Sequence, residues 1–183
     1  LIGLVGSEMC IRDSLKDAGL VSDPEESGTT FLENARIKAR AAHELACAAV
    51  LADDSGLIVD ALDGAPGVYS SRYSGVDGDD SANNAKLLRE LSAVPLAKRT
   101  ARFASVLVFI DEDGLETVAE GFVEGHIGLV ERGEHGFGYD PLFFPDAYNG
   151  EVTMAELTQS QKNAISHRGN ALRELRKKLH ACD

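Results

Sequence analysis

The chain has 183 residues, 44% of them hydrophobic and 26% charged, the balance of an ordinary globular domain, which excludes a disordered tail, a collagen-like chain and a coiled coil. Eighteen Lys and Arg against 30 Asp and Glu leave a net charge of −12, which argues against a nucleic-acid partner, since affinity for that backbone comes from Lys and Arg. A small anionic ligand stays open, provided that a metal cation bridges the two negative partners.

The apolar opening Leu1–Val5 is interrupted by Glu8 and Arg12 and lacks the basic start and longer apolar core of a signal peptide. Residues 22–29 (SDPEESGT) read as a polar loop. Thr30 and Glu33 have capping-box spacing and open an Ala-rich helix, with Leu32, Ala35, Ala39, Ala42, Leu45, Ala46 and Ala49 at helical spacing. Val50-Leu51-Ala52 predicts a short strand, broken by Asp53-Asp54-Ser55-Gly56 and resumed by Leu57-Ile58-Val59, and residues 63–67 (DGAPG) are turn chemistry. Asp79 or Asp80 caps a helix through about Leu91, burying Leu87, Leu88 and Leu91, with Pro95 at its exit. Residues 101–110 (ARFASVLVFI) predict a strand, 111–114 (DEDG) a hairpin turn and 115–127 the partner strand. A Gly-rich loop spans 131–141, and Thr158 with Gln161 caps a last helix running to about Leu179. Strands and helices mix without strict alternation, hence α/β with a mixed sheet. No apolar run approaches the ~20 residues of a membrane span. Cys10, Cys47 and Cys182 are odd in number and lack paired spacing, which argues for a reducing compartment and against a disulfide framework or zinc site. We expect a cytoplasmic protein with no membrane partner.

Four stretches can carry chemistry, and each also has a plain structural reading. Asp53-Asp54-Ser55-Gly56 follows a buried strand, where a carboxylate can ligate Mg²⁺ or take a proton from water; the same residues also make a solvated turn. In Phe31–Arg40 (FLENARIKAR), Arg36 and Lys38 can reach phosphates or simply form the wet face of a helix. In Gly136-Phe137-Gly138-Tyr139-Asp140-Pro141 the glycines let backbone N–H groups approach a ligand. Phe137 offers a face for a base, and Asp140 can accept from a base edge; the plain reading is a tight turn with an aromatic plug. Lys162 and Ser166-His167-Arg168-Gly169 complete the set. On one continuous helix His167 and Arg168 lie about 140° and about 240° from Lys162, so they share no narrow face, and a charged helix surface is the alternative.

Together these stretches resemble the inosine triphosphate pyrophosphatase family, the Ham1-like or RdgB-like nucleotide hydrolases. The likeness runs through Glu25-Glu26-Ser27-Gly28 and FLENARIKAR, ADDSGLIVDALDGAPGVYSSRYSG, GFGYDPLFF, AELT and KNAISHRGNAL, in order, from about residue 20 to the end. It implies an elongated mixed sheet flanked by helices, with two lobes and a central nucleotide cleft. The implied activity is hydrolysis of non-canonical purine nucleoside triphosphates (ITP, dITP, XTP) to the monophosphate and pyrophosphate, with Mg²⁺, in a homodimer. By that likeness Asp54 is a metal ligand and the general base or the activator of a metal-held water, supported by Asp53, and Glu26 is the second metal-binding carboxylate. Lys38 contacts phosphate and Ser55 lies beside the substrate. Phe137, Gly138, Tyr139 and Asp140 hold the base, with Lys162, His167 and Arg168 as its other walls. Donors from His167 or Arg168 would donate to the O6 of hypoxanthine or xanthine and oppose adenine's amine.

Members of that family open with a strand ending in a Thr-Gly-Asn-x-x-Lys loop that grips the triphosphate, and no such loop occurs here. Residues 1–14 (LIGLVGSEMCIRDS) instead resemble a translated sequencing-adaptor string, and the chain starts with Leu. We expect 1–14 to be foreign to the fold, 15–183 to form one pyrophosphatase domain, and triphosphate binding to be impaired. A nucleotide-binding protein without turnover and a Maf-like pyrophosphatase are the competing readings; SHRG and GFGYDP argue against the latter.

Overall fold

The computed structural model describes Leu15 and residues 19–180. The segment 1–14, expected to be foreign, lies outside the described residues, as do Cys10 and Cys182. The elements are α1 (Phe31–Ala46), β1 (Val50–Val59), α2 (Asp80–Glu90), β2 (Thr100–Ile110), β3 (Glu116–Ile127), β4 (Phe143–Pro145), α3 (Gln159–Ile165) and α4 (His167–His180), with short 3-10 turns between them. Strand order in the sheet is β1-β2-β3-β4. β2 and β3 are joined by the expected turn, where Asp111 accepts from the Asp113 and Leu115 N–H groups. β4, which the sequence pattern did not announce, pairs antiparallel with β3 and sets Gly125 opposite Pro145. A Cβ at Gly125 would lie 2.2 Å from the Phe144 carbonyl oxygen, so only glycine permits that approach.

Two expectations need correction. β1 does not break at Asp53-Asp54-Ser55-Gly56 but runs for ten residues. Turn propensity is overridden because both carboxylates find partners, Asp54 on Lys38 and Asp53 on the Ser105 hydroxyl. The last helix is two helices. Ser166 (φ −58°, ψ 145°) leaves the helical region, and its hydroxyl accepts from the Gly169 N–H at 3.1 Å, starting α4 anew. The helical-wheel separation of Lys162 from His167 and Arg168 therefore does not apply.

The described chain divides into two compact units. The first holds the described residues up to Asp54, Ser105–Gly121 and the chain from Ala171. Its α1 buries Ala35, Ala39 and Ala42 against Val50, Ala52, Val106, Val108 and Ile110. The small side chains form a stripe, and Leu45, about 80° off that stripe, is 48% exposed. The alternate face of β2, Leu107 and Phe109, packs on Ala171 and Leu175 of α4, so β2 is apolar along both faces here, as a strand covered on both sides must be.

The second unit holds Ser55–Ala104 and Phe122–Asn170. Its core gathers Leu57, Val59, Leu87, Leu91, Phe103, Ile127, Phe143 and Met154. Asp79 caps α2 through the Ala82 N–H. The buried Arg99 guanidinium donates to the Leu91, Val94 and Gly128 carbonyls at 2.7, 3.0 and 2.9 Å, tying the C-cap of α2 to the loop after it and to the residue after β3. Among the described residues no helix is long and apolar enough to cross a membrane.

The capping box of α1 forms as expected. The Glu33 N–H donates to Thr30 Oγ1 at 3.2 Å, and the Glu33 carboxylate accepts from the Thr29 and Thr30 N–H groups. These donors, Thr29 first, hold the Glu33 carboxyl below its ordinary value. Thr30→Ala is expected to cost about 1 kcal/mol in urea unfolding. Because the folded-state value of Glu33 is depressed, its contribution is full above the ordinary carboxylate range and is lost as pH falls through the lowered value. The melting-temperature gap between the wild type and Glu33→Ala should therefore be constant near neutrality and close in acid; a gap that widened in acid would contradict the assignment.

Candidate active site

In the first unit, side chains alternate along β1, so Val50, Ala52 and Asp54 are all buried. Val50 and Ala52 lie in the α1 cluster. Asn34 and Lys38 stand one turn apart on α1. Lys38 Nζ donates to Asp54 Oδ1 at 2.7 Å and pairs with Glu26 Oε1 at 2.9 Å. Burial opposes the Lys38 charge, but the hydrogen bonds and charges of Asp54 and Glu26 outweigh it and hold the ammonium above its ordinary value. Burial, with the Glu26 charge behind it, pushes the Asp54 carboxyl up, against the pull of Lys38 and, more weakly, of the Asn34 amide. The second oxygen, Asp54 Oδ2, is buried and accepts no hydrogen bond.

A cavity of about 200 Å³ adjoins this group, lined by Ser22, Asp23, Glu26, Lys38 and Asp53 among others. Asp53 accepts from Ser105 Oγ at 3.1 Å. Arg36, offered by the sequence beside Lys38, instead pairs with Glu116 at 2.7 Å. Among the described residues no group of three or more His, Cys, Asp or Glu is placed to hold a metal. Glu26 and Asp54 nevertheless supply two carboxylates, one with an unengaged buried oxygen. That suits Mg²⁺, which takes one or two carboxylates and completes its shell with water and substrate phosphate. Asn34 escaped the sequence reading. It is fully buried, and its Oδ1 accepts from the Gly28 N–H at 2.8 Å, two residues from Glu26. The Asn four residues before Lys38 was the available signal.

In the second unit, Ser55 is a half-buried position of β1. The loop around Phe137 needs glycine on both sides: Gly136 has φ +91° and Gly138 φ +61°. A Cβ on Gly136 would sit 2.1 Å from Asp140 Oδ2. Asp140 is 3% exposed; its Oδ2 accepts from the Phe137 N–H at 2.9 Å and from Lys162 Nζ. It thus closes the loop on itself. Tyr139 is also buried, and its hydroxyl donates to the Ser70 carbonyl at 2.8 Å; burial, first, pushes that hydroxyl well above its ordinary value. The Phe137 ring is 60% exposed, with Lys162 Nζ at 4.5 Å and Arg168 Cζ at 5.8 Å from its centroid. His167 is buried and stacks on Phe103 at 5.1 Å. The structure therefore gathers Phe137, Lys162 and Arg168 around one exposed ring, while Tyr139 and Asp140 hold the loop from inside.

Lys162 and Asp140 form a buried ion pair, and removing one partner leaves the other charge uncompensated. Lys162→Met is expected to destabilise the protein by about 3–5 kcal/mol, read by urea unfolding. Lys162→Met with Asp140→Leu should recover part of that loss; equal stabilities for the wild type and Lys162→Met would show that the pair is not formed in solution.

The profile of the Ham1 family matches residues 4–178. The chain is 53% identical over 161 residues to a dITP/XTP pyrophosphatase of Oceanobacillus iheyensis, covering 87% of this chain and 80% of that one. It is 50% identical over 166 residues to one of Listeria monocytogenes, covering 91% and 81%. Among solved structures, the Ham1 protein of Staphylococcus aureus superposes with a TM-score of 0.82 at 43% identity, covering 88% of this chain and 82% of that one. A HAM1 protein of Coxiella burnetii gives 0.81 at 44%, with the same coverage. Identity this high over most of both chains, on a shared sheet flanked by helices, has one reading: the chain belongs to the Ham1 family.

Proposed function

We propose that this protein hydrolyses non-canonical purine nucleoside triphosphates, ITP, dITP and XTP, to the monophosphate and pyrophosphate, with Mg²⁺ as cofactor. The observation that carries this reading is the buried, unengaged Asp54 oxygen beside Glu26 and Lys38. The names of the relatives, dITP/XTP pyrophosphatases, support it. In this reading residues 15–183 act as one pyrophosphatase domain, in a cytoplasmic homodimer.

Glu26 and Asp54 would hold the metal, which when bound would screen the phosphate charge and polarise phosphorus. Lys38 adds positive charge for the phosphates, where charge builds in the transition state. Asp54 is the general base for the attacking water, a task suited to a carboxyl whose value burial has raised. Asp53 steadies that strand position through Ser105, and Ser55 contacts substrate. In the second unit the exposed Phe137 ring stacks the base, and Gly138 keeps the loop backbone close to it. Tyr139, Asp140 and Lys162 keep that loop in shape, and His167 and Arg168 supply donors to O6. Adenine presents an amine where hypoxanthine presents O6, so donors there favour ITP over ATP.

Asp54→Asn is nearly isosteric and is expected to lower kcat for ITP by at least about a hundredfold with an unchanged far-UV spectrum. Wild type that bound ITP with Mg²⁺ but returned it intact would overturn the enzymatic reading in favour of a binding protein. Arg168→Ala should depress ITP hydrolysis more than residual ATP hydrolysis; an equal loss for both would place Arg168 on the phosphates instead.

A further inference from the structure

An exposed aromatic ring gains little from burial, so beyond its cation contacts with Lys162 and Arg168 what fixes it lies in its backbone. The Phe137 N–H is held by Asp140, and the next peptide groups are held from α2. Asp80 Oδ2 accepts from the Gly138 N–H at 2.6 Å, and Asn84 Nδ2 donates to the Gly138 carbonyl at 3.0 Å. Asp80 and Asn84 are four residues apart, one helical turn, and so reach the same glycine from one face of α2. Gly138 itself has φ +61°, and a Cβ at that position would meet nothing within 4 Å. Its conformation therefore answers to the chain path and the two clamps, not to crowding.

Asn84 is nearly fully buried, and its Oδ1 accepts no hydrogen bond. A buried amide with one group unsatisfied carries a free-energy cost that an apolar side chain of similar volume would avoid. What the amide supplies in return is the bond to Gly138.

We propose that Asp80 and Asn84 are positioning residues that hold Phe137 as a rigid platform for the flat face of a purine base. This rests on the function proposed above and adds two residues to it. Neither touches the base; both act through the Gly138 peptide groups, so that the ring is already in place when the base arrives and no loop ordering has to accompany binding.

The test is a double-mutant cycle on ITP hydrolysis with Asn84→Leu and Phe137→Ala, and inorganic tripolyphosphate as a competitor that lacks a base. Asn84→Leu is expected to raise KM for ITP about tenfold, the scale of a lost stacking contact, with kcat nearly unchanged. In the Phe137→Ala background the same change should add less than about twofold, since coupled residues do not add. The inhibition constant of tripolyphosphate should stay at its wild-type value in every variant. Equal KM rises in both backgrounds, or a matching loss of tripolyphosphate affinity, would overturn the inference in favour of a general folding role. Should Asn84→Leu not fold, the exposed Asp80 decides: Asp80→Ala should raise KM for ITP and Asp80→Asn, which keeps an acceptor, should restore it, and no difference between them counts against the inference. Wild type that leaves ITP intact would overturn both readings. Wild type that hydrolyses ITP, with Phe137→Ala keeping the wild-type KM, would overturn the positioning role alone.

Discussion

A strand that carries adjacent carboxylates into a protein interior persists only if something there answers their charge. In this chain the answer to Asp54 is Lys38, whose ammonium lies 2.7 Å from Asp54 and 2.9 Å from Glu26. Charge burial without such a partner would shift the carboxyl to its neutral form or unfold the strand locally. Given Lys38, β1 can run through Asp53 and Asp54 without a break, and Ala52 and Val50 behind them can pack on α1. The Ala stripe of α1 matters for the same reason, because small side chains let the helix approach β1 closely enough for Lys38 to reach.

The second unit solves a similar problem in a loop. Asp140 is buried, is met by Lys162, and uses the same oxygen to hold the Phe137 N–H. In a chain of net charge −12, each unit thus spends one helix-borne lysine on one buried aspartate. In both cases the pair leaves something exposed or unengaged: an Asp54 oxygen in one unit, the Phe137 ring in the other. Stability accounts for the pairs. It does not account for what they leave open, and those two features are where the proposed chemistry rests.

Local signals were dependable where local physics decides. The Thr30/Glu33 and Thr158/Gln161 boxes and the Asp79 cap all form, because each is closed within one turn of backbone. The β-branched run of β2 and the turn after it were equally plain. The Asp53–Gly56 stretch misled because its turn propensity is real but weaker than two tertiary partners supplied from Lys38 and Ser105, 16 and 52 residues away in sequence. The split of the last helix was readable in principle, since Ser166 stands where its hydroxyl can cap the Gly169 N–H, but position 169 carries no Glu or Gln to complete a capping box.

The sequence by itself determined the family, the candidate residues and most element boundaries, because motifs and caps depend on residue type and short spacing. Only the tertiary structure decided what each candidate touches. Asp140 and Tyr139 turned out to be inward-facing supports rather than exposed contacts, Arg36 was drawn to Glu116, and Asn34, Asp80 and Asn84 emerged as the side chains that tie down Gly28 and Gly138. Burial and hydrogen-bond partnership are properties of the packed chain: whether a carboxylate or amide meets solvent, ligand or a distant backbone group depends on neighbours that lie far away in sequence.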